Sequence, residues 1–205
     1  MMSLSHDNQH TGYWESSTPE ARSKVLGFWL FLAAETVLFA CLFASYLSLR
    51  GEAMGGPGSE ELFELRLVMA ATALLLVSSL TSVFSVIFMR ATRLIGTMSW
   101  LLVTWGLGFA FLMLEAFEFW HYAKLGHTVM GSAFGSSFYT LVGTHGAHVA
   151  YGLCWIAAIL FQLQRRGINA ETGTKVFVAT LYWHFIDVIW VFIFSIVYLL
   201  GKVGM

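Results

Sequence analysis

Five long apolar runs separated by short polar breaks organise this chain. They cover residues 25–49, 67–89, 97–122, 132–163 and 176–200. A bilayer core about 30 Å thick needs about 20 apolar helical residues to cross it, and every run is long enough. Charged residues mark the ends: Lys24 and Arg50 around the first run, Arg66 and Arg90 around the second. Gly51, Gly55, Gly56, Pro57 and Gly58 break the chain after the first run. Within that loop, Ser59 ahead of Glu60, Glu61 and Glu64 predicts a short capped turn at the membrane surface. Arg165-Arg166-Gly167 closes the fourth run, with glycine at the helix stop, and Lys175 opens the last. The pattern predicts an all-α fold, a polytopic membrane helix bundle with five transmembrane helices.

Composition agrees with that reading. Hydrophobic residues make up 58% of the 205 and charged residues 11%, against about 25% charged in soluble domains. Mean hydropathy is +0.72. A net charge of -1 without a basic patch gives no sign of nucleic-acid binding. The chain is short for several domains. It divides into a polar tail, residues 1–24, and a membrane domain, residues 25–205. The tail lacks the apolar core of a signal peptide, and its His6 and His10 are a weak metal signal. Cys41 and Cys154 lie in apolar runs and are expected to be small buried packing residues. Basic residues set an orientation. Arg22, Lys24, Arg90, Arg93, Arg165, Arg166 and Lys175 fall on one side, against Arg50, Arg66, Lys124 and Lys202 on the other. The N-terminus is therefore expected in the cytoplasm and the C-terminus outside.

Seven ionisable residues lie well inside the runs: Glu35, Glu115, Glu118, His145, His148, His184 and Asp187. Such groups usually face a bundle interior, a partner or a water-filled cavity. Three readings compete. Glu118-x-x-His121 is half of a di-iron carboxylate signature, and His145 and His148 are spaced to share a metal, but neither set is complete. A proton or ion pathway would use the same residue types; Glu35 stands alone between Phe31 and Phe39. Alternatively, Glu118, His145, His148, His184 and Asp187 form one buried network tying the last three helices together. Small residues on the fourth run, Gly143, Gly146, Ala147 and Ala150, permit close helix approach. Ser78-Ser79 and Thr81-Ser82 on the second run can bond to neighbouring helices or to their own carbonyls.

Four ordered motifs point to a family. Leu26-Gly-Phe-Trp29 with Glu35-Thr-Val-Leu-Phe39, then Glu115-Ala-Phe-Glu118, then Gly143-Thr-His145-Gly-Ala-His148-Val149, then Tyr182-Trp-His184-Phe-Ile-Asp187-Val-Ile-Trp190, resemble subunit III of haem–copper respiratory oxidases. The likeness runs from about Leu26 to Gly201. Five spans in place of seven resemble the short bacterial form, found in cytochrome c oxidases and, close to them, in quinol oxidases. The stretch from Phe138 to Ala150 leans toward the cytochrome c type. The resemblance implies a non-redox core subunit of a complex that reduces O2 to water and pumps protons in the bacterial plasma membrane. It implies no cofactor in this chain, with haem and copper in subunits I and II, a small subunit IV as a further partner, and phospholipid between the helices. It places Glu35 at the family's carbodiimide-reactive glutamate position and links the subunit to proton delivery and to resistance against turnover inactivation. A stand-alone membrane metalloenzyme or a proton channel are the rivals from other classes.

Overall fold

In a computed structural model the described residues are 19–49, 65–124 and 133–200. The tail before Pro19, the loop with the expected Ser59 turn, the side chain of His121, the loop after Lys124 and Gly201 lie outside them. Among the described residues five helices follow one another: α1 (Pro19–Leu49), α2 (Leu65–Arg90), α3 (Leu94–Lys124), α4 (Ala133–Arg166) and α5 (Ala170–Ile193). A π-helical turn, Phe194–Leu199, continues α5. All five are long and apolar enough to cross a membrane.

Two helices start five or more residues before their apolar runs do. Helix α1 begins at Pro19, not at Val25, so the last part of the polar tail is helical and Ala21 is buried. Proline suits a first turn because its φ is preset and its missing N–H costs nothing there. Helix α5 begins at Ala170, not at Lys175. Asn169 caps it: its side-chain oxygen accepts from the N–H groups of Glu171 and Thr172, each at 2.9 Å. The Asn169 N–H donates back to the Thr172 hydroxyl at 2.9 Å, completing a capping box. A polar cap is invisible to an apolar pattern, which explains the misplaced start.

The tight turns are set by backbone geometry. Gly167 has φ +66° and donates its N–H to the Leu163 carbonyl at 2.9 Å, the left-handed stop expected of glycine. The α2–α3 turn does the same with a threonine. Thr92, at φ 55°, donates to Met89 at 2.9 Å and Arg93 donates to Phe88 at 3.0 Å, a paired closure of the helix end.

Helix α5 is the centre of the bundle. In its most apolar stretch 61% of residues are buried, against 11% in α1. It packs on α1, α2 and α4, while α2 and α3 form the longest pairing and α3 also packs on α4. Trp183 of α5 is the pivot. It is 1% exposed, and its indole N–H donates to the Ser78 hydroxyl of α2 at 3.0 Å. Its ring fills space left by Gly108 of α3 and Gly152 of α4; a Cβ at Gly108 would come within 2.5 Å of it. One side chain thus fixes the positions of three neighbouring helices.

The cysteines are a correction. Cys41 and Cys154 are both free and exposed on the bundle's outer faces. An apolar thiol is at no disadvantage facing lipid, so an apolar run does not place it in the core.

Candidate functional site

The seven ionisable groups occupy three places, not one network. The first lies between α1 and α4. Glu35 Oε2 is 3.2 Å from His148 Nε2, with the two side chains 16% and 20% exposed. His148 Nδ1 lies 2.7 Å from the Thr144 carbonyl, an acceptor only, so Nδ1 carries its hydrogen. The Glu35–His148 contact then holds a single labile proton, on the carboxyl oxygen or on Nε2. Phe39 packs edge-on against the imidazole at 5.2 Å. Tyr182 of α5 donates its hydroxyl hydrogen to the His148 carbonyl at 3.1 Å, so three helices meet here.

The second place joins α3, α4 and α5. His145, fully buried, presents Nε2 to the Ile186 carbonyl at 3.3 Å. Its ring packs on Trp190 at 5.1 Å and edge-on to Phe111 at 5.9 Å. Tyr198, in the π-helical turn, donates to Glu118 Oε2 at 3.3 Å. Glu115 sits in the notch opposite Gly146, where a Cβ would approach its Oε1 to 2.9 Å. Among the described residues neither Glu115 oxygen has a hydrogen-bond partner.

The third place joins α2 and α5. Ser79 Oγ is 2.6 Å from His184 Nδ1, and Ser82 Oγ is 3.5 Å from His184 Nε2. Asp187 is buried beside Ser79. Nearby, Trp190 donates to the Thr72 hydroxyl at 3.0 Å.

His145 and His148, which their spacing would have allowed to share a metal, face different neighbours. Their three-residue spacing puts them on adjacent but different parts of the helix surface, so that His148 meets α1 while His145 meets α3 and α5. One imidazole therefore serves each side. Among the described residues no three His, Cys, Asp or Glu side chains gather where a metal would be held. Of the serines and threonines noted on the second run, Ser78 and Ser79 do reach α5, and Thr81 reaches the Thr104 hydroxyl of α3 at 2.8 Å. The partners that sequence reasoning missed are aromatic: Tyr182, Trp183, Trp190 and Tyr198. Each is an amphipathic ring on the most buried helix, and that combination was the available signal.

A crevice opens beside the first place. One cavity of about 520 Å³ is lined by Phe28, Phe31, Ala147, His148, Tyr151, Trp155 and Tyr182. A second, about 390 Å³, shares Phe28, Phe31 and Trp155 with it and ends among Lys24, Glu171, Thr174 and Lys175. The crevice thus runs from a charged rim to a proton-holding pair at mid-membrane. At the rim Lys175 bonds Glu171 at 2.7 Å and Gln162 at 2.9 Å.

Fold and site together define a polytopic membrane subunit whose buried polar groups tie its helices to one another. Comparison with known proteins makes this specific. The family described as Cytochrome c oxidase subunit III matches residues 7–202, and the chain belongs to that family. It is 54% identical to cytochrome c oxidase subunit 3 of Bacillus subtilis (strain 168) over 191 residues, 93% of this chain and 92% of that one. It is 53% identical to the same subunit of Bacillus sp. (strain PS3) over 189 residues, 92% of this chain and 91% of that one. It is also 45% identical to quinol oxidase subunit 3 of Bacillus subtilis (strain 168) over 203 residues, 96% of this chain and all of the relative. The chain is a subunit III of a haem–copper terminal oxidase, a multi-pass membrane protein that works within a complex of oxidase subunits.

Proposed function

We propose that this chain is the non-redox packing subunit of a proton-pumping cytochrome c oxidase in a bacterial plasma membrane. It stabilises subunit I, borders subunit II and a small subunit IV, and leaves haem and copper to its partners. The observation that carries this reading is the use made of the buried polar groups. Glu35, Glu118, His145 and His184 each bond a different helix of the same chain, which is what a rigid docking scaffold needs. Higher identity to the cytochrome c oxidase subunits than to the quinol oxidase subunits supports cytochrome c as the donor to the complex. The quinol oxidase reading is the alternative.

The crevice suits a phospholipid. Lys24 and Lys175 flank its rim for a phosphate, and Phe28, Phe31 and Trp155 offer apolar walls for acyl chains. The N-terminus and this rim face the cytoplasm, as the distribution of basic residues favours. The Glu35–His148 proton at its inner end fits a supporting part in proton supply to subunit I.

The test is removal of this chain from the purified oxidase. The remaining complex should keep its haem and its initial oxygen consumption but lose activity faster during turnover. Loss of haem together with the chain would defeat the proposal. Oxidation of quinol, and not of cytochrome c, by the intact complex would select the alternative.

A further inference from the structure

The last turns of α4 divide their polar side chains between two neighbours. Gln162 and Arg166, four apart, turn to α5. Gln162 accepts from Lys175 at 2.9 Å, and Arg166 lies 3.5 Å from Glu171. Phe161 and Arg165, also four apart, form the adjoining stripe of the helix. The Arg165 guanidinium lies over the Phe161 ring, 4.4 Å from its centre. Arg166 and Lys175 share the Glu171 carboxylate at the crevice rim. Among the described residues no carboxylate pairs with Arg165 and no hydrogen bond takes up its donors.

Phe161 is also a wall of a groove between α3 and α4. This cavity, about 470 Å³, is lined by Ile95, Met98, Ser99 and Leu102 of α3 and by Leu160, Phe161 and Gln164 of α4. It shares no lining residue with the crevice. Its apolar walls are open: Ile95, Leu102 and Phe161 are 81%, 58% and 54% exposed. One turn beyond Leu102, a Cβ at Gly106 would meet nothing within 4 Å, so the furrow continues along α3. Polar groups gather at the end where α3 starts and α4 stops. Gln164 and Arg165 stand there, and the Ser99 hydroxyl lies one turn, about 6 Å, deeper than Ile95. Thr97 and Thr104 of the same helix turn their hydroxyls to carbonyls four residues back. Among the described residues the Ser99 hydroxyl makes no such bond.

We propose that the α3–α4 groove binds an anionic phospholipid in the leaflet at its Arg165 end. The phosphate meets the Arg165 guanidinium and the Gln164 amide. Ser99 donates to an ester carbonyl one step deeper, and an acyl chain lies along Leu102 and Leu160 into the open space at Gly106. Charge complementarity selects this occupant. A guanidinium presents forked donors that match phosphate oxygens, and basic pockets between transmembrane helices seat acidic headgroups. An apolar protein helix would fill the furrow but bring no anion to Arg165. A zwitterionic lipid would bring an ammonium that opposes it. The site lies apart from the crevice and does not depend on what the crevice holds.

The test is photo-crosslinking in the complex captured through a tag on this chain and placed in vesicles of equal parts phosphatidylglycerol and phosphatidylethanolamine. Leu102→p-benzoylphenylalanine reports from the groove. Val103→p-benzoylphenylalanine, at the same depth on an exposed face outside it, reports the surrounding bilayer. Mass spectrometry of the adducts should show phosphatidylglycerol enriched about fivefold at Leu102 over Val103, the pull of one basic residue near a membrane surface. Combined with the Leu102 probe, Arg165→Gln should abolish the enrichment and Arg165→Lys should keep most of it. Equal lipid ratios at the two probes, or an adduct with another protein subunit at Leu102, would overturn the site. Enrichment that survives Arg165→Gln would overturn the part given to Arg165. The adduct ratio reads the groove whether or not haem co-purifies, so failure of the oxidase reading is seen separately.

Discussion

At the scale of single residues, the account turns on polar side chains that pay for their burial by joining helices. Trp183 is the sharpest case. Trp183→Phe keeps most of the apolar contact but removes the indole donor to Ser78, whose hydroxyl still donates to the Leu75 carbonyl at 2.8 Å, and should cost about 1 kcal/mol. Trp183→Ala should cost about 3–5 kcal/mol through the cavity it leaves among α2, α3 and α4. Thermal unfolding of the purified complex in detergent reads both; an unchanged Trp183→Phe would contradict the hydrogen bond, and equal effects of the two would contradict the cavity. Glu35 makes a separate prediction. Glu35→Ala should leave haem content unchanged while raising hydrogen exchange along α1, because the Glu35–His148 contact ties α1 to α4 at mid-span. The positions of these acids and imidazoles within the spans were legible in the sequence, since each interrupts an apolar run. Their pairings were not. Which of two histidines three residues apart meets Glu35 depends on where α1 lies, and only the assembled bundle decides that.

At the scale of elements, helix existence followed from run length alone, and the ends depended on chemistry that hydropathy does not weigh. Asn169 illustrates this: Asn169→Ala removes an acceptor from two N–H groups and should cost about 1 kcal/mol, seen as a lower unfolding temperature. The α2–α3 turn predicts the opposite sign. Thr92 holds a left-handed φ in a branched residue, so Thr92→Gly should raise stability by up to about 1 kcal/mol. A fall would mean that the Thr92 side chain contributes more than the backbone relief returns. Gly108 belongs here too. Its missing Cβ admits Trp183, and Gly108→Ala should cost about 1–3 kcal/mol by overpacking, with the α3 residues near it losing exchange protection first. Sequence reading noticed the small residues of α4 but not Gly108, because a lone glycine in an apolar run gives no hint of the ring that will occupy its space. The exposed cysteines were misjudged for a related reason: in a membrane protein the outside is apolar as well, so hydrophobicity does not separate core from surface.

At the scale of the whole molecule, the bundle is built around its last helix, with α1 held mainly by α4 and α5 along a crevice. That layout suits a subunit whose business is packing. The centre is the most buried part and one flank opens into a crevice. Motif order and span number were enough to place the chain in its family from sequence. The crevice was not foreseeable, because it arises from which helices become neighbours. The central claim is that the buried acids and imidazoles hold protein to protein while electrons travel elsewhere. The most direct measurement is a haem spectrum and an oxygen-consumption trace taken on two preparations: the complex captured through a tag on this chain, and this chain alone. The account predicts haem and oxygen uptake in the first and neither in the second. Stoichiometric haem, or oxygen uptake, in the chain alone would contradict it.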